Sequence, residues 1–253
     1  MKKISVLLLG IILLISAGCA APEQEEIMAS DLTIEELESR MKKAMDPNGR
    51  FARARTYVMR QQVVTERGWL EAPIVQMVEV KFRQPDQFKL TTYTDNEAEL
   101  SIIANGSAGW MVDLKREKVV KLDKEGLERV LVMVRLTNPG NRLKNVFESV
   151  SLDRCRLDGE NYYRFTCRNK DRNPMYIYVG EKDYFNKRLR MDLEVGKSSI
   201  KYDSQMQGYS MYEGVMIPDE SLVIQGNTAQ KSKVIYYKLD ENLSDEEFRP
   251  PLF

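Results

Sequence analysis

The sequence predicts a mainly β (α+β) domain in which a large antiparallel sheet curls and α-helices cover its mouth. Three observations predict it. Period-2 segments bounded by turn residues recur over most of the chain from Phe51 onward. Amphipathic helical patterns occur only near the start and in the middle. A sheet of about ten strands tends to curl, and two or three helices do not tightly fill it. The space beneath the helices is then either packed core or cavity.

The elements follow in order. "MKKISVLLLGIILLISAGC" has two lysines, an apolar run from Ile4 to Ile15, then small residues before Cys19. This is the pattern of a secretory signal, and the run is short for a membrane span. Ser16-Ala17-Gly18-Cys19 resembles the lipobox of bacterial lipoproteins, with Ser16 where leucine is typical. The resemblance implies removal of residues 1–18, lipidation of Cys19 and attachment to a membrane through that anchor. Ala20 is not the aspartate that signals inner-membrane retention in some bacteria, so the periplasmic face of the outer membrane is the expected location. Residues 19–31 are polar, acidic and aperiodic and read as a flexible tether. Residues 32–253 show no internal repeat and no low-complexity linker, and read as a single domain.

In "LTIEELESRMKKAM", Thr33 and Glu36 have capping-box spacing, and Leu32 and Leu37 suit a hydrophobic staple. Ile34, Leu37, Met41 and Met45 share one face of that helix. Val78, Val80 and Phe82, then Phe88 and Leu90 after "QPDQ", then Trp110 and Val112, alternate with other residues as strands do and are expected to line one face. "KEGLERVLVMVRL" fits either element by its apolar run; its length and Glu/Arg content favour helix. In "NPGNRLKNVFESV", Asn138 suits a cap, Pro139 the first helical position, and Leu143, Val146, Phe147 and Val150 share a helical face. Beyond Leu152 tyrosine-rich strands return.

Cys155 and Cys167 flank a hairpin around Asp158-Gly159. A two-residue turn there pairs Cys155 with Tyr162, so a disulfide between the cysteines requires a longer loop or a bulge. The candidate disulfide and two buried free thiols both stay open. Trp69 and Leu70 follow Gly68 at the tip of another hairpin. An apolar tip suits a membrane interface or an acyl-bearing partner, or folds back to cap the sheet.

Residues 85–122, "PDQFKLTTYTDNEAELSIIANGSAGWMVDLKREKVVKL", resemble the LolA/LolB-like lipoprotein carriers. Pro85 and Phe88 match the family's turn-and-strand. Asn105-Gly106, Trp110 and Asp113 match its "dG-x-x-x-W-x-y-D" segment, and Val119-Val120 the following strand. The resemblance implies a strongly curved, open antiparallel β-barrel with a helical lid. It also implies an apolar cavity, lined by Val78, Val80, Phe82, Phe88, Leu90, Trp110 and Val112, that receives acyl chains of lipoproteins or phospholipids. The lipid-anchored branch of the family has an exposed apolar loop that hands cargo to the bilayer, the role expected of Trp69 and Leu70. The alternative reading is a sensory or structural envelope lipoprotein that uses the same fold to bind a protein partner.

Composition narrows the chemistry. The chain has no histidine, which removes Ser-His-Asp, Cys-His and His-ligated metal sites. No phosphate loop or zinc-spaced cysteine cluster is present, so no cofactor, metal or catalytic residue is nominated and no enzyme is expected. Lys2 and Lys3 leave with the signal, so 38 basic residues become 36 against 38 acidic, a formal net charge of −2. That balance offers nothing to nucleic acid.

Overall fold

A computed structural model describes residues 25–66, 71–136, 141–170, 172–195 and 198–253. The signal segment 1–18, Cys19, the Trp69-Leu70 tip and the Asn138-Pro139 cap lie outside the described residues.

Fourteen strands are described: β1 (Glu26–Ala29), β2 (Thr56–Glu66), β3 (Ile74–Arg83), β4 (Gln87–Thr94), β5 (Glu97–Asn105), β6 (Gly109–Asp113), β7 (Lys118–Lys121), β8 (Ser149–Leu157), β9 (Glu160–Arg168), β10 (Met175–Gly180), β11 (Asn186–Val195), β12 (Ser198–Tyr212), β13 (Val215–Gln225) and β14 (Thr228–Leu239). Three helices accompany them: α1 (Ile34–Met45), α2 (Arg50–Arg53) and α3 (Lys124–Leu136). All strands join one antiparallel sheet in the order β1-β8-β9-β10-β11-β12-β13-β14-β2-β3-β4-β5-β6-β7. Apart from β1 and the β14–β2 pairing, each strand lies beside its chain neighbour. The sheet is open, with β1 and β7 at its edges, and a sheet this wide curls.

The helices share the inner face. Register places Tyr163, Phe165 and Cys167 of β9 with Met175, Ile177 and Val179 of β10 on one side. Following the pairs across β11 to β14 brings Tyr57 and Phe82 to that same side. Two apolar clusters form there. Leu37 of α1 and Val132 of α3 join Phe147, Phe165, Ile177 and Leu189 in the first. Phe51 of α2 and Val134 of α3 join Tyr57, Val80, Phe82, Ile217 and Tyr237 in the second. Burying one such side chain contributes about 1.5–3 kcal/mol.

Local chemistry sets the helix starts. Thr33 Oγ1 accepts from the Glu36 amide at 3.2 Å, and Glu36 Oε2 accepts from the Thr33 amide at 2.8 Å, so the capping box forms. The buried Asp46 carboxylate accepts from the amides of Arg50 and Ala52 and so starts α2.

Two expectations are corrected, and one open alternative is decided. Residues 26–29 are not tether: Glu26 pairs with Arg156 and Ala29 with Asp153 at the edge of the sheet. Glu25 binds Arg164 at 3.1 Å, so pairing and charge hold this end of the chain in place. The helix expected to carry Leu143, Val146, Phe147 and Val150 is one 3-10 turn, Leu143–Asn145. From Ser149 the chain is β8, with Val150 opposite Cys167. Sheet pairing outweighs a short helical pattern, because it satisfies the same backbone groups and also buries the side chains. Finally, Cys155 and Cys167 are free and buried. The Asp158-Gly159 turn sets Cys155 opposite Tyr162, and Cys167 opposite Val150, so the thiols lie at different levels on opposite faces.

Candidate functional site

The inner face divides into a covered half and an open half. Under the helices, α3 works as a wedge between the clusters: Val132 belongs to the first, and Val134 to the second with Val130 beside it. Val134 is 1 % exposed. Tyr57 stacks on Phe82 with ring centroids 5.1 Å apart, and on Tyr237 at 5.7 Å.

The open half lies toward the end of the sheet that carries the β2–β3, β4–β5 and β13–β14 connections. There the inward-facing residues of β12, β13, β14, β2 and β3 are half-buried. They include Tyr202, Met206, Val223, Val63 and Val78, with Ser221, Ser232, Gln230, Thr65 and Gln76 between them. The polar members pair with one another: Ser221 with Ser232 at 2.6 Å, Gln230 with Thr65 at 3.2 Å, and Gln76 with Thr94 at 3.1 Å. None of these side chains is charged. Burial pushes the Tyr202 phenol up, so it stays a neutral donor. The result is an uncharged amphipathic trough that continues from the apolar clusters.

The outer face has the opposite chemistry. Lys231 meets Glu66 at 2.7 Å, and Lys233 meets Glu220 at 2.9 Å. Arg60 meets the buried Glu79 at 2.7 Å, Lys81 meets Glu247 at 3.0 Å, and Arg188 and Arg190 both bind Asp203. Burial works against ionisation of Asp203, but Arg188 and Arg190 outweigh it and hold the carboxyl below its ordinary range. Glu247 is likewise lowered, burial being outweighed by Lys81 and Lys89.

The residues singled out from the sequence divide between the two faces. Val80 and Phe82 are buried in the second cluster, and Val78, Phe88 and Leu90 are half-buried beside it. Trp110 and Val112 do not join them. Trp110 pairs with Ile103, which pairs with Lys89, and Val112 pairs with Ser101, which pairs with Thr91; both therefore face outward. Val112 is fully buried there, and Trp110 is half-buried. The single expected face fails because the β5–β6 register was not fixed by alternation within each strand. The trough residues of β12 to β14 were missed. Their signal is "QKSK", where Gln230 and Ser232 face in and Lys231 and Lys233 face out.

Among the described residues no group of three or more Cys, Asp and Glu side chains is placed to hold a metal ion. Burial pushes both the Cys155 and Cys167 thiols up to about 12, which suppresses the reactive thiolate. Among the described residues no helix is long and apolar enough to cross a membrane.

No protein-family model matches the chain, and no curated protein matches it. Solved structures do. A LolA superfamily protein from Nitrosomonas europaea superposes with a TM-score of 0.61 at 13% identity, covering 87% of this chain and 98% of its own. A DUF1329 family protein from Desulfovibrio piger gives 0.58 at 10% identity, over 85% of this chain and 95% of its own. A putative outer membrane lipoprotein-sorting protein domain from Vibrio parahaemolyticus gives 0.55 at 8% identity, over 85% and 97%. The likeness is one of fold alone: the open sheet of this chain superposes on that LolA superfamily protein and on that putative lipoprotein-sorting domain.

Proposed function

We propose that this chain is a non-enzymatic envelope lipoprotein that takes up acyl chains of lipids or lipoproteins on its inner face and assists their transfer or localisation. Cys19 carries its lipid anchor on the periplasmic face of the outer membrane, and the Trp69-Leu70 tip meets the membrane or the acylated cargo. One observation carries the reading: the uncharged, half-open trough adjoins two apolar clusters and lies at the same end of the sheet as the β2–β3 hairpin. An acyl chain laid there meets apolar side chains, and its ester or amide linkage meets hydroxyl and amide groups at no cost of an unpaired charge.

Native mass spectrometry of the full chain, extracted from membranes in a maltoside detergent, tests the proposal. The covalent mass reports acylation at Cys19. A second, dissociable mass matching a phospholipid or an acylated peptide is the expected result, and Val223→Trp, which fills the trough, removes it while the fold persists. A chain that stays free of lipid after incubation with phospholipid and acylated lipoprotein excludes the carrier role.

A further inference from the structure

We infer that the β1 rim of the sheet sits on the bilayer that holds Cys19, so that the trough opens away from that bilayer. The inference rests on the lipid anchor of the reading above and adds to it the orientation of the domain. Cys19 and Glu25 are six residues apart, a span of about 20 Å at full stretch. Glu25 is already fixed to the domain. Its carboxylate binds Arg164 at 3.1 Å, and Arg164 also binds Asp153 at 3.2 Å. The next four residues pair along β8, from Glu26 with Arg156 to Ala29 with Asp153. The leash between lipid and domain is therefore shorter than the domain is long, since the eleven residues of β2 alone extend about 35 Å.

The leash and the trough lie at opposite ends of the strands. Glu26 is opposite Arg156, which is opposite Asn161, so β1 begins beside the β8–β9 turn. Across the antiparallel order, the β8–β9, β10–β11 and β12–β13 turns share that end. The β2–β3, β4–β5 and β13–β14 connections share the other, where the trough opens. A domain held by its rim within about 20 Å of the headgroups cannot turn its far end to the same bilayer without peeling β1 from β8. The rim itself suits that place. Ile27 is 45 % exposed and Met28 37 %. They lie on opposite faces of the sheet, because Ile27 is opposite Cys155 and Met28 opposite Arg154. Exposed apolar side chains beside an acyl anchor fit the headgroup boundary of a bilayer.

Energy transfer to labelled headgroups tests the inference. The full acylated chain is made as Asn161→Cys, at the anchor end, and as Asn227→Cys, at the trough end; both sites are exposed. Cys155 and Cys167 are buried and do not take the dye. Each variant carries one donor and is bound through its anchor to phosphatidylcholine vesicles with an acceptor dye on the headgroup. Transfer from Asn161→Cys is expected to exceed transfer from Asn227→Cys about twofold, because the sites lie about 30 Å apart along the strands. A Gly-Ser linker of about 20 residues inserted between Gln24 and Glu25 is expected to bring the ratio near one. Equal transfer from the two sites on the natural leash, or greater transfer from Asn227→Cys, overturns the orientation. A ratio that survives the linker overturns the leash as its cause, because the face then binds lipid unaided. A chain whose covalent mass shows no acyl group on Cys19 removes the anchor and this inference together, whereas dissociable lipid adducts report the carrier role independently.

Discussion

The two faces of the sheet are built from the same strands yet solve different problems. Strand β14 shows it in four residues: Gln230 and Ser232 hydrogen-bond across the inner trough, while Lys231 and Lys233 form ion pairs outside. The inner face is stabilised mainly by burial, and its trough carries no charge. The outer face carries the charge pairs, whose individual contributions are small, beside local buried patches such as Cys155, Leu157 and Tyr178. Stability should therefore depend on the inner face and pH sensitivity on the outer one.

Substitutions separate the two. Phe82→Ala removes a ring that stacks on Tyr57 at the centre of the second cluster, and should cost about 3–5 kcal/mol in urea denaturation. A loss below about 1 kcal/mol would mean that the inner face relaxes around the cavity. Glu79→Gln, outside, removes the buried carboxylate between Arg60 and Lys81 and should cost about 1–3 kcal/mol. If it costs as much as Phe82→Ala, the contrast between the faces does not hold. The smallest effect is the pH dependence. The folded-state pKa of Asp203 is depressed, so its contribution is fully present above the unfolded value of about 3.9 and is lost as pH falls through the lower folded value. Stability should drop below about pH 4, and Asp203→Asn should flatten that drop in an acid titration followed by circular dichroism. An unchanged slope would assign acid sensitivity to other carboxylates, Glu247 first.

Much of the fold was legible in the sequence because its signals are local. Thr33 and Glu36 announce α1, the Asp158-Gly159 turn fixes the pairing of Cys155 with Tyr162, and alternation marks Val78, Val80 and Phe82. What was not legible depends on partners distant in the chain. Val150 fits a helical face until β9 supplies Cys167 opposite it. Residues 26–29 look like tether until β8 offers an edge. Trp110 and Val112 alternate like inward residues, but the β5–β6 register turns them outward. For the candidate site, the apolar members stood out by hydrophobicity, whereas Gln230 and Ser232 are marked only by their alternation with Lys231 and Lys233, and Ser221 by nothing.

The open sheet also bears on solubility. A closed barrel has no free backbone rim, but among the described residues this sheet ends at β1 and β7, whose outer backbone groups pair with no other described strand. Both end strands are only four residues long. In β7, Lys118 and Lys121 bracket the exposed Val119 and Val120, so two β7 edges brought together antiparallel would set lysine against lysine. Short length and like charge at that rim disfavour stacking of one copy on another into fibres, so the sheet can stay open without polymerising.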